Sequence, residues 1–130
     1  MLISKSEYML YLRHPAWLWI KKHAKHLMPP VDDDLQARFN EGHAFEPFVE
    51  SLFPNLINLG FNTYDEYLDL PKNTLRAWDN GAEVVSQGRY ETGSITCISD
   101  LVRKKGDVFI LTEIKSSSSA KEEHIFDLAF

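Results

Sequence analysis

The chain has one cysteine, no long apolar run and no excess of positive charge. Cys97 alone cannot form an internal disulfide or hold a structural zinc or an iron–sulfur cluster, so any bound metal must take oxygen or imidazole ligands. A membrane-spanning helix needs about 18 or more consecutive apolar residues, and none is present. The N-terminus also lacks the basic, apolar and small-residue order of a signal peptide, so the expectation is a soluble, cytoplasmic protein. Lys and Arg number 14 against 19 Asp and Glu, a net charge of −5, which argues against nucleic-acid binding by bulk charge alone. A local basic track remains compatible with it.

What is present suits one folded domain over residues 1–130: 44% hydrophobic and 12% aromatic residues suffice for a single core. Residues 1–28 form a basic segment, with Lys5, Arg13, Lys21, Lys22 and Lys25 against Glu7 alone. Such a stretch is either a solvated helix face or a surface turned to phosphates, with Lys21 and Lys22 as its candidate contacts. Ser4 and Glu7 have the form of a capping box opening a first helix. His14-Pro15 should interrupt it and restart a second helix running to about His26. On that second helix Trp17 and Trp19 cannot share a face, so one is expected inside and the other nearer the surface, open to stacking.

After the Pro29-Pro30 linker, Asp32 to Asp34 supply a cap for a core helix over 32–54. Leu35, Phe39, Phe45, Val49, Leu52 and Phe53 give it one apolar face, Pro54 ends it, and Gly42 with Pro47 predicts a kink. Residues 55–83 read least clearly, with a turn at Asn58-Leu59-Gly60 and a short helix from Pro71 to Asn80 ended by Gly81. From Glu83 the period becomes that of strands: Val84 to Tyr90, a turn at Glu91-Thr92-Gly93, Ser94 to Arg103, a turn at Lys104 to Asp107, and Val108 to Lys115. Ser119 with Glu122 then resembles a capping box for a last helix carrying Ile125, Phe126, Leu128 and Ala129. The fold class is therefore α+β, a helical N-terminal region followed by an antiparallel three-stranded meander and a helix. An apolar helix at the very end of the chain predicts an N-terminal piece of a longer protein, its core incomplete there.

Charges on apolar strand faces single out the candidate site. Glu113 and Lys115 continue the face of Phe109 and Leu111, and Asp100 shares its face with Ile98 and Val102. Buried charges need a partner, a cation or a ligand. If Arg103 pairs with Val108 across a four-residue turn, Asp100 lies opposite Leu111 and diagonal to Glu113, close enough for two carboxylates to share one divalent ion. An odd change in turn length would put them on opposite faces. The competing reading is a surface strand with a salt bridge.

Ser99-Asp100, Glu113-Ile114-Lys115-Ser116, the helix with Gly42-His43-Ala44-Phe45-Glu46 and the opening Leu2-Ile3-Ser4 through His14-Pro15 together resemble the PD-(D/E)XK nuclease superfamily, in particular its RecB-like exonuclease branch. Three positions depart from that pattern, and the polar and aromatic residues that RecB-like enzymes carry on the helix after the lysine are missing as a fourth departure. Ser99 stands for the motif proline, Glu46 stands where many RecB-like nucleases carry histidine, and His14 stands where a related branch has the cysteine of an iron–sulfur site. The resemblance implies an α/β/α, restriction-endonuclease-like core and a metal-dependent nuclease, an exonuclease in DNA repair, recombination or defence. It implies Mg²⁺ or Mn²⁺ held by Asp100, Glu113 and the Ile114 carbonyl with Glu46 as a further ligand, and Lys115 as the catalytic lysine. DNA, as a single strand or a duplex end, would be the partner, with Ser116 and Ser117 as phosphate contacts and no membrane. A nuclease-like module that binds nucleic acid or a protein without cutting is the alternative. His43 and His124 are expected to pack or face solvent rather than to bind metal.

Overall fold

The computed structural model describes residues 2–30 and 33–130, the side chains at 33–35, 38, 39, 42 and 43 apart. Strand β1 (Ile3–Ser4) leads directly into helix α1 (Lys5–Arg13). The capping box is formed as expected: Ser4 Oγ accepts the Glu7 N–H, and Glu7 Oε2 accepts the Ser4 N–H at 3.0 Å. His14, in extended conformation, ends α1 and caps α2 (Pro15–His23), its Nδ1 accepting the Ala16 N–H at 3.1 Å. Helix α2 stops before His26, and a 3₁₀ turn over Lys25–Leu27 takes the remainder. Neither tryptophan is inside: Trp17 is 36% and Trp19 60% exposed, against the expectation that one would be buried.

Helix α3 (Asp33–Glu50) continues through Pro47, the Ser51 N–H donating to the Pro47 carbonyl at 3.0 Å, and it ends short of the expected Pro54. Asp32 lies outside the described residues, as do the side chains of Asp33, Asp34, Leu35, Phe39 and His43, so the expected cap and part of the apolar face fall there. Of that face, Phe45 and Leu52 are exposed, together with Phe48. Strand β2 (Leu56–Asn58) runs up to the expected turn at Asn58-Leu59-Gly60, where Gly60 has φ +50°.

Helix α4 (Tyr64–Asp79) starts two turns before the expected Pro71, capped by Thr63 and Glu66 in a second capping box. Proline has no N–H for the carbonyl four residues back, here that of Tyr67. Arg89 Nη1 donates to that carbonyl at 2.7 Å instead, so the helix passes through Pro71 without a buried unpaired acceptor. Gly81, at φ +85°, ends the segment after Asn80 in the left-handed conformation that glycine takes without a Cβ clash.

The meander is present with tighter turns than expected, its first two strands longer and its third, which ends at Thr112 and not Lys115, shorter. Strand β3 (Val84–Thr92) pairs antiparallel with β4 (Ile95–Lys105), and β4 with β5 (Val108–Thr112). Both turns have two residues, Gly93-Ser94 and Gly106-Asp107, with the glycines at φ +55° and +61°, the geometry that continues the strand twist. Strand β1 joins the outer edge of β4 and β2 the outer edge of β3, both parallel. The last helix, α5 (Glu122–Ala129), opens at Lys121 rather than Ser119, and His124 Nδ1 accepts the Lys121 N–H at 3.2 Å. Among the described residues the architecture is thus mixed: five α-helices and a five-stranded mixed sheet, consistent with the α+β class.

The core lies between α4 and the β3–β4 hairpin. Leu70, Thr74 and Ala77, spaced to one helix face, are buried with Ala82, Val84, Val85, Leu101 and Val102. Among the described residues no helix is long and apolar enough to cross a membrane.

Candidate active site

Two strands converge on one edge of β4. Parallel β1 pairs with Ile95 and Thr96, antiparallel β5 pairs from Lys105 back to Leu101, and Cys97 to Asp100 lie between them. The chain leaving β1 therefore reaches Lys5 as the chain leaving β5 reaches Glu113. Thr112 stands opposite Leu101, so one further step brings Glu113 opposite Asp100. The expected diagonal relation is corrected: Leu111 pairs with Val102, not Asp100, because the turn holds two residues and not four. Both lengths are even, so the shift preserves the face on which the two carboxylates meet. Strand β5 ends at Thr112, and the next free backbone donor, the Ile114 N–H, is taken by Asp100 Oδ2 at 2.7 Å.

Glu113 is held from two sides. Lys5 Nζ lies 2.8 Å from its Oε2 and Lys115 Nζ 2.7 Å from its Oε1. The same two ammonium groups reach Asp127 of α5, Lys5 at 3.5 Å from Oδ1 and Lys115 at 2.6 Å from Oδ2. Glu113 and Asp127 are well buried, with side chains 9% and 13% exposed. Burial pushes the Glu113 carboxyl above its usual range, the lysines pull it down, and the neighbouring Asp100 and Asp127 add to the rise. Burial also acts against the charge on Lys115, but its contacts with Asp127 and Glu113 outweigh it and hold the ammonium well above its ordinary pKa. Lys5 shifts upward for the same reasons, burial opposing and Glu113 prevailing. A lysine in that state keeps its proton and acts by charge.

The remaining expected residues fall around this cluster. Glu46, half-buried, accepts a hydrogen bond from Gln87 Nε2 at 3.4 Å. Gln87 sits between the pairs Ser86–Leu101 and Gly88–Ser99, across the ladder from Asp100, with φ +55°. A left-handed non-glycine residue costs about 1 kcal/mol or more, and here it stands beside the candidate site. Ser116 and Ser117 are exposed, with Ser117 Oγ donating to the Ser119 carbonyl at 3.0 Å. A cleft of about 510 Å³ runs between them and α5, lined by Glu113, Lys115, Ser117, His124 and Leu128. Lys22 is bound to Glu7 at 2.6 Å, and Lys21 is half-buried on the same helix.

Lys5 and Asp127 were not among the expected site residues. Their signal was faint: a lysine after a two-residue strand, and one acid inside the apolar run Ile125, Phe126, Leu128.

Among the described residues no three His, Cys, Asp or Glu side chains stand together so as to hold a metal ion. The donor chemistry nevertheless suits a hard divalent cation, since every candidate ligand is an oxygen. The lysines fill the places on Glu113 that a cation would use. Comparison with family models, with curated proteins and with solved structures returned no match.

Proposed function

We propose that the chain is a Mg²⁺- or Mn²⁺-dependent nuclease acting on DNA phosphodiester bonds. The observation that supports this most is Asp100 accepting the Ile114 N–H at 2.7 Å, next to Glu113, with Lys115 in contact with Glu113. The resemblance to RecB-like PD-(D/E)XK nucleases rests on these same residues, and with it the restriction-endonuclease-like reading of the fold.

Asp100, Glu113 and the Ile114 carbonyl would hold the ion, with Glu46, hydrogen-bonded to Gln87 across the ladder from Asp100, as the further ligand, directly or through water. Bound there, the ion would supply Lewis acidity to the phosphodiester and a lowered pKa to an attacking water. Asp100 orients the chain at Ile114 through its N–H and so fixes the carbonyl of the same residue. Lys115, held protonated, offsets the charge that builds on the phosphate. Ser117, which lines the cleft, and the exposed Ser116 beside it would offer hydroxyls to phosphate oxygens. Lys21 adds positive charge on α2, whereas Lys22 contributes less because Glu7 neutralises it. The substrate is a DNA strand or duplex end, and the setting is cytoplasmic, in repair, recombination or defence.

The test is a thermal titration with Mn²⁺, wild type beside Asp100→Ala, followed by incubation with single-stranded and duplex DNA. Saturation at 100 times Kd stabilises a protein by about 2.7 kcal/mol, so the wild type should melt several degrees higher and Asp100→Ala should not respond. Cleavage should require Glu113 and Lys115. A second reading, a nuclease-like module that docks DNA without cutting, draws on the occupation of both Glu113 oxygens by lysines. DNA binding without cleavage in Mn²⁺ would favour it, and no response to metal or DNA would remove both.

A further inference from the structure

Each lysine at the site is shared. Lys5 bridges Glu113 Oε2 and Asp127 Oδ1, and Lys115 bridges Glu113 Oε1 and Asp127 Oδ2, so two carboxylates and two ammonium groups form a closed ring. Ring closure matters because a buried charge stripped of its partner is strongly destabilising. If Glu113 alone neutralised the lysines, turning its oxygens toward a divalent cation would leave two half-buried ammonium groups unpaired. Asp127 removes that obstacle. It is brought to the ring by α5, with Lys5 and Lys115 at 3.5 and 2.6 Å from its two oxygens.

We infer that Asp127 is a positioning residue that retains Lys5 and Lys115 when Glu113 turns to a divalent cation, and that Lys5 competes with the cation for Glu113. This rests on the metal-dependent reading above. It makes two predictions of opposite sign. Asp127→Asn should weaken Mn²⁺ binding, because both lysines then have Glu113 as their sole carboxylate in the ring. Lys5→Met should strengthen it, because one competitor is gone while Lys115 keeps its place.

The experiment is calorimetric titration of Mn²⁺ into the wild-type chain, Asp127→Asn, Lys5→Met and Asp100→Ala, with no DNA present. Coupling between sites of this kind is typically about 5- to 150-fold in affinity, so a change of about fivefold or more is expected in each direction. A purely structural ion pair would lower stability in both variants without moving the two affinities apart. Equal affinities, or shifts of the same sign, overturn the inference while leaving the metal reading intact if Asp100→Ala still abolishes binding. Wild-type protein that takes up no Mn²⁺ overturns both. Should Asp127→Asn fail to fold, Lys5→Met decides alone: tighter binding supports the competition, and unchanged or weaker binding rejects it.

Discussion

The hairpin with its covering helix and the set of helices that carry the site are held by different forces. Where α4 packs on β3 and β4, Leu70, Val85, Leu101, Thr74 and Ser86 are almost wholly inaccessible. No residue of helices α1, α2 and α5 is as inaccessible as these, although the Glu7 and Asp127 side chains are well covered. Leu12, Trp19, Ile125 and Leu128 on them are between 41% and 64% exposed. The whole chain exposes 9332 Å², about a third more than the roughly 7,000 Å² expected for a folded chain of its mass. The contacts of the helical region include the ionic ring at Glu113 and the bridge from Lys22 to Glu7, beside one aromatic pair of Tyr8 with Phe130 at 5.1 Å. One region is thus fixed by exclusion of water and the other chiefly by charge.

The largest effect should separate them outright. Leu101→Ala empties a site with no exposure and should cost about 2–5 kcal/mol. Leu128→Ala, on α5, removes the same atoms from a side chain 41% exposed and should cost less than about 1 kcal/mol. Urea unfolding checks this through the midpoint at constant slope. Equal losses would show that α5 is as firmly packed as the hairpin and would end the contrast.

A sharper probe lies inside the packed region. Thr74 Oγ1 donates to the Leu70 carbonyl at 2.8 Å and accepts the Arg89 N–H at 3.0 Å, with Thr74 itself 1% exposed. Thr74→Val keeps the shape and deletes the acceptor, leaving a buried N–H unpaired. The expected loss is about 1–3 kcal/mol. The same measurement on Thr74→Ser, which keeps the hydroxyl and loses a methyl, should show the smaller effect. If valine proves the milder change, packing and not the hydrogen bond ties α4 to β3.

The two regions also differed in how far the sequence revealed them. The meander was legible because period-two alternation and glycine turns are local signals, and Asp100 and Glu113 kept a common face because the turn stayed even. The Ser4–Glu7 box and the restart at His14-Pro15 were legible for the same reason. Strands β1 and β2 were not: two- and three-residue parallel strands carry no hairpin signature, and their partners lie far along the chain. Helix α4 was placed too late because Pro71 was read as a start, although Thr63 and Glu66 already spelled a cap. Lys5 escaped notice since its contact with Glu113 spans 108 positions, and no local pattern encodes a pair that distant. Asp127 was hidden by its helix, which reads as an apolar stripe.

The smallest effect tests whether charge really holds the helical region. Glu7 accepts from the Ser4 N–H and pairs with Lys22 at 2.6 Å, its side chain 13% exposed. Burial raises its carboxyl pKa, but the hydrogen bond from Lys22 and that from Ser4 outweigh burial and hold it below the ordinary value. A carboxyl depressed in the folded state favours folding above its unfolded pKa, about 4.3, and loses that contribution as pH falls through the lower folded value. Glu7→Gln keeps an acceptor for the Ser4 N–H and removes only the charge. It should therefore be less stable than wild type by about 0.5–1 kcal/mol at pH 7, and the gap should close as the pH drops through the lowered folded value. Melting both proteins across that range reads the difference directly. A gap that persists at low pH would assign the contribution of Glu7 to packing or capping instead, and the helical region would then owe less to charge than the ring at Glu113 suggests.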